Sequence, residues 1–180
     1  MNYRRRFMGK FLLGVISLIF IATGQAFAAK ATAVIQSTDG NSPLVGSAHF
    51  EDTSDGLRVE VSIFGAPPGP HGFHIHENGS CEDKGGAAGG HFNPTKTKHG
   101  FLPKDGLQAA HGGDMGNMDV MESGEGTLLL VLPDVTIEGG KYNVAGRAVI
   151  LHEKKDDFGQ PTGNAGRRIG CGIIQVDRDQ

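Results

Sequence analysis

The sequence predicts an all-β fold, a Greek-key β-barrel or sandwich of about eight antiparallel strands that carries two long functional loops. Three observations predict it. Short runs with the two-residue period of a half-buried strand recur along the chain. Turn-forming pairs such as Asp55-Gly56 separate them. Past the amino terminus no segment shows a helical period, and 29 glycines and 8 prolines suit a chain of turns and loops.

The elements follow in order. Ala31 to Gln36, Leu44 to Glu51 and Leu57 to Phe64 read as three strands joined at Asp39-Gly40-Asn41 and Asp55-Gly56. In the third, Leu57, Val59, Val61 and Ile63 alternate with Arg58, Glu60 and Ser62, so one face meets a core and the other meets water. His49 lies on the polar phase of the second run and is expected to be exposed. Ala66-Pro67-Pro68-Gly69-Pro70 stops the third strand, because proline has no amide for a ladder. Gly72 to His76 is a short strand with His74 and His76 on one face. Met115 to Met121 reads as core or loop packing, with a copper-gathering methionine patch as its alternative. Leu128 to Leu132 and Ala148 to Leu151 read as buried strands, Val135 to Ile137 as a short run after a turn, and Gly170 to Val176 as the closing strand.

Two long loops remain, and they hold the chemistry. Between His71 and Asp114 lie six of the eight histidines, among glycines and short apolar pieces. The second loop, from Glu153 to Arg168, follows His152 at the end of a strand. A loop this long is more often functional than a mere connection. The candidates His71, His74, His76, His91, His99, His111, Asp114 and His152 offer more imidazole than one ion needs, so two adjacent ions, zinc or copper, fit the supply. A chance cluster of surface histidines is the bland alternative.

The amino terminus places Arg4, Arg5, Arg6 and Lys10 before an apolar run and a small-residue stretch ending at Ala28, the form of a signal peptide cleaved after that residue. The general secretory and twin-arginine routes both fit. Residues 29–180 then form one domain with no stable membrane anchor. Cleavage removes four of the 17 basic residues and none of the 20 acidic ones, moving the formal charge from −3 to −7 and arguing against a nucleic-acid partner. Cys81 and Cys171, bound for an oxidising space, are expected to pair; two buried thiols are the alternative.

The runs GPHGFHIHENGSC (69–81), GGHFNP (89–94), KHG (98–100), HGGDMGN (111–117), HEKKDD (152–157) and GNAGRRIGCG (163–172) closely resemble the copper/zinc superoxide dismutase family. The resemblance implies one copper held by His74, His76, His91 and His152, and one zinc held by His91, His99, His111 and Asp114. His91 would be the shared imidazolate. Asp156 would link His74 to His99 from behind the ligands, His71 would bond backbone, Arg168 would orient the anionic substrate, and Cys81–Cys171 would be the disulfide that helps place that arginine. The second loop is shorter than in eukaryotic members and lacks their run of charged residues, which with the export signal resembles the bacterial periplasmic branch. Lys84, Lys154 and Lys155 are the candidate steering lysines.

The activity so implied converts two superoxide anions and two protons to oxygen and hydrogen peroxide by Cu(II)/Cu(I) cycling. A small anion drawn to a net-negative protein requires a local positive funnel. The alternatives from other classes are a periplasmic copper/zinc carrier without turnover and a zinc hydrolase, the latter disfavoured because zinc would have four protein ligands and no open position. Monomer and homodimer are both compatible with the sequence.

Overall fold

The computed structural model describes residues 28–178 together with Met1. The proposed leader lies largely outside the described residues. Nine strands occur among the described residues: β1 (Lys30–Ser37), β2 (Val45–Thr53), β3 (Gly56–Phe64), β4 (Gly69–His76), β5 (Asp114–Val120), β6 (Gly126–Leu132), β7 (Ala148–His152), β8 (Arg168–Ile173) and β9 (Gln175–Val176). They pair in the order β2-β3-β6-β5-β4-β7-β8-β1-β9, and β1 also pairs with β2, closing eight strands into an antiparallel barrel with β9 beside β1. Because β3 pairs with β6 and β4 with β5 and β7, the chain crosses the barrel end between β3 and β4, as Greek-key topology requires. Closure leaves few free edges for aggregation.

Alternation in the sequence becomes the barrel's inside and outside. Leu57, Val59, Val61 and Ile63 of β3 are buried together with Ile35, Phe50, Phe73, Ile75 and Leu132 in one core. Each such side chain contributes about 1.5–3 kcal/mol on burial. The β2–β3 hairpin turns through Ser54 and Asp55, with Thr53 and Gly56 paired across it.

Several expectations change in detail. Met115 to Met121 is mostly strand β5, with Met115 and Met118 in the core, so packing and not metal gathering explains them. The run Leu128 to Leu132 is not buried throughout: Leu129 is 64% exposed and Val131 37%, because β6 lies in the barrel wall with one face in water. Val135 to Ile137 forms only an isolated bridge, Thr136 to Asn143, although both apolar side chains are buried. The closing run breaks at Ile174 into β8 and β9. Two short helical turns occur among the described residues, a 3-10 turn at Gly86–Ala88 and α1 at Leu102–Asp105, too short for any periodicity to reveal. His49 is exposed, as expected.

Candidate metal centre

Three backbone segments carrying ligand-type residues are tied into a ring. Ile75 donates its amide to the Gly113 carbonyl (2.9 Å), Gly113 to Phe92 (3.1 Å) and Phe92 to Ile75 (2.9 Å). These bonds draw together the neighbours of His74 and His76, of His91, and of His111 and Asp114. Only glycine fits at 113, since a Cβ there would overlap the Ile75 carbonyl oxygen. Irregular register supplies the rest of the aim: β4 against β5 shifts between Gly72 and His74, and β7 against β8 shifts between Leu151 and His152.

Two groups of four result. The ligand atoms of His74, His76, His91 and His152 lie within 4.8 Å of one another, and so do those of His91, His99, His111 and Asp114. All are buried, and His91 belongs to both groups. Four ligands about 2.0–2.1 Å from a tetrahedral ion stand about 3.3 Å apart. In the first group Nε2 of His76 and Nε2 of His152 are 3.3 Å apart. Their other nitrogens are occupied: Nδ1 of His76 donates to the Gly89 carbonyl at 3.0 Å and Nδ1 of His152 to Gly166 at 3.3 Å. Two imidazole lone pairs therefore face each other, an arrangement that a cation satisfies.

In the second group Asp114 Oδ2 accepts the amides of Gly100 and His111, each at 2.9 Å, while Oδ1 meets Nδ1 of His91 at 2.9 Å and Nδ1 of His111 at 3.1 Å. Behind both groups stands Asp156, wholly buried, which takes Nε2 of His74 at 2.8 Å and Nε2 of His99 at 2.9 Å on Oδ2. That fixes the tautomer of both rings and turns Nδ1 of each toward the clusters. Nδ1 of His74 and Nδ1 of His99 are the buried side-chain atoms left without a hydrogen bond among the described residues. The His99 atom lies 2.9 Å from Asp114 Oδ2 but outside hydrogen-bond geometry. Orphaned nitrogens at this depth are costly unless an ion takes them.

The comparisons agree with this geometry. A sequence profile described as Copper/zinc superoxide dismutase (SODC) matches residues 44–174. The extracellular superoxide dismutase [Cu-Zn] of Caenorhabditis elegans is 37% identical over 91% of this chain and 76% of that protein. Superoxide dismutase [Cu-Zn] 2 of Aquifex aeolicus is 36% identical over 92% of this chain and 99% of that protein. The chain belongs to the copper/zinc superoxide dismutase family. A solved structure described as that of the clock protein EA4 superposes with a TM-score of 0.74 at 35% identity, covering 87% of this chain and 100% of that one.

Copper and zinc, the metals this family binds, suit the donors present, and the protonation of this superoxide dismutase-family site suits them too. Burial, then the neighbouring His74, lowers His91 to about 4 and His152 to about 3, and burial and His91 hold His76 well below its usual value. All three rings are neutral near pH 7, the state a metal requires. His99 differs. Burial pulls it down, but Asp114 and Asp156 outweigh that and raise it to about 9, so a proton sits where an ion would displace it. Burial raises Asp114, yet its contacts with His111, His91 and His99 hold it below the usual carboxylate range, and His74 and His99 do the same for Asp156.

Arg168 stands at the rim of a depression of about 180 Å³ lined also by His76, His91, His152, Asn164 and Gly166. Its guanidinium is held by the carbonyls of Gly85, Gly86 (3.3 Å) and Gly89 (2.6 Å). Those glycines belong to the loop that the Cys81–Cys171 disulfide fastens to β8. His71 is buried with Nδ1 at 2.8 Å from the His152 carbonyl and Nε2 at 2.8 Å from the Pro67 carbonyl, so it bonds backbone and joins neither cluster. Lys154 is exposed and its side chain lies along Gly166, while exposed Lys84 lines a neighbouring hollow with Arg167 and Arg168. Lys155 is exposed and lines neither.

Sequence reasoning missed Asn117, Phe158, Gln160 and Gly163. Asn117 holds the Asp156 main chain at both its amide (2.7 Å) and its carbonyl (3.0 Å). Phe158, at φ 59°, gives its amide to Asp156 Oδ1 at 2.7 Å and lays its ring 6.2 Å from His99. Gln160 bonds the His99 main chain twice. The HGGDMGN and GNAG runs contain Asn117 and Gly163, so the motif was a signal for those two; nothing in the sequence pointed to the others.

Proposed function

We propose that His74, His76, His91 and His152 hold copper, that His91, His99, His111 and Asp114 hold zinc, and that superoxide reaches this pair past Arg168. The observation that carries the reading is the membership of His91 in both four-ligand groups. When bound, copper supplies one-electron chemistry between Cu(II) and Cu(I), and zinc, which has no redox chemistry, supplies fixed positive charge.

The chain's residues do the rest. Arg168, held rigidly by three carbonyls, presents its charge at the mouth of the depression and draws a small anion into an otherwise net-negative protein. The depression, about 180 Å³ and open to solvent, leaves a small anion free access to His76, His91 and His152. His91 Nε2, facing the first group while Nδ1 is directed at Asp114, is the atom suited to take up one proton and return it as peroxide forms; solvent supplies the second. Asp156 keeps His74 and His99 oriented throughout.

The residues up to Ala28 act as a leader that is removed, leaving residues 29–180 as the active domain in the periplasm of a bacterium. The basic–apolar–small pattern of the leader, the disulfide and the extracellular relatives support export. Superoxide consumption by protein loaded with both metals tests the reading against a carrier. The enzyme loses turnover on chelation and regains it with copper and zinc; a fully metallated protein without turnover is a carrier.

A further inference from the structure

We propose that Gln160 is a positioning residue for the zinc-side cluster, fastening the main chain of His99 and so setting how long the ion stays. The inference rests on the reading that His91, His99, His111 and Asp114 hold zinc. The side-chain amide of Gln160 accepts the His99 amide at 3.0 Å and donates to the His99 carbonyl at 2.9 Å. His99 is buried, lies outside every strand, and makes no backbone–backbone hydrogen bond among the described residues. One side chain thus does for His99 what a neighbouring strand does for a residue in a sheet.

The placement matters because His99 is held at two points. Its ring is fixed through Nε2 to Asp156, whose main chain Asn117 of β5 clamps in the same two-point manner. Its main chain is held on both sides by the Gln160 amide, with the next amide, that of Gly100, on Asp114 Oδ2. Nδ1 of His99 can leave an ion only if ring or main chain swings away, and the Gln160 amide opposes the second movement. Its loss therefore registers in the rate of metal release. None of His74, His76, His91 and His152 makes a hydrogen bond with Gln160, so the copper side is spared.

The test loads copper on one side and Co(II) in place of zinc, and follows cobalt release to a chelator by its visible absorption in wild type, Gln160→Ala and Gln160→Met. The methionine variant keeps the length of the side chain without its hydrogen bonds. The expected result is an unaltered cobalt spectrum with release about ten-fold faster in both variants, as for other residues that orient ligands from behind, and copper release at the wild-type rate. Cobalt release at the wild-type rate from Gln160→Met overturns the proposal, as does equal acceleration of both metals, which is general loosening of the loop. Asp114→Ala separates the underlying reading: it must lose the wild-type cobalt spectrum, and retention would remove the zinc-side assignment itself.

Discussion

At the scale of single residues, the centre depends on atoms that are placed by what they cannot otherwise do. Nδ1 of His74 and of His99 have no hydrogen bond, while Nε2 of each ring is held by Asp156. Gly163, at φ 77°, makes that arrangement possible, since a Cβ there would overlap Asp156 Oδ1 and approach Nε2 of His99 to 2.7 Å. Gly163→Ala is accordingly expected to weaken metal binding by about 10–100-fold while leaving the barrel folded. Metal titration beside far-ultraviolet circular dichroism checks both parts. On the role proposed for Arg168, Arg168→Ala should slow turnover and flatten its dependence on ionic strength with both metals retained. Stopped-flow rates across a salt series, with metal analysis of the same samples, read this out; unchanged kinetics would remove Arg168 from the substrate path.

At the scale of elements, two long loops meet where His99 of the first bonds Asp156 and Gln160 of the second. β4 brings His74 and His76, β7 brings His152, and β5 begins at Asp114, so a rigid sheet fixes one side of each cluster and loops supply the other. The disulfide anchors the first loop to β8 across a sequence separation of 90 residues. Its reduction should cost about 2–5 kcal/mol and release the glycine carbonyls that hold Arg168. A lower melting temperature together with slower turnover in a Cys81→Ser variant is the expected pair of results. Element by element, the sequence conveyed strands better than faces. Alternation in Leu57 to Ile63 showed its inward side, whereas the leucines of β6 form an unbroken apolar run whose wet face depends on where the strand lies in the wall. The two groups of candidate ligands were legible because histidine is rare in the chain and clusters in short motifs. Gln160 was not, because its role is a contact with main chain 61 residues away, which leaves no pattern in composition or period.

At the scale of the whole molecule, folding and metal binding are coupled through protons. In the metal-free protein His91 titrates at about 4 and His152 at about 3, both below the ordinary value of 6.5, and His76 is lowered too. As pH falls below 6.5 the unfolded chain takes up protons that these folded rings refuse, so stability is lost on the acid side. His99, raised to about 9, acts oppositely: the stability it contributes is complete below 6.5 and disappears as pH rises through 9. The metal-free protein should therefore be most stable near pH 6.5, and urea unfolding midpoints recorded across pH in the presence of a chelator test this. A midpoint that rises steadily through pH 9 would contradict the charged state assigned to His99.

The most direct measurement is anomalous X-ray scattering from crystals of the copper- and zinc-loaded protein, recorded at the absorption edge of each metal. Two separate peaks are predicted, copper about 2.0–2.1 Å from Nε2 of His91 and zinc at a similar distance from Nδ1 of the same ring. A single peak, or two peaks with the His91 ring bound to only one of them, would contradict the account.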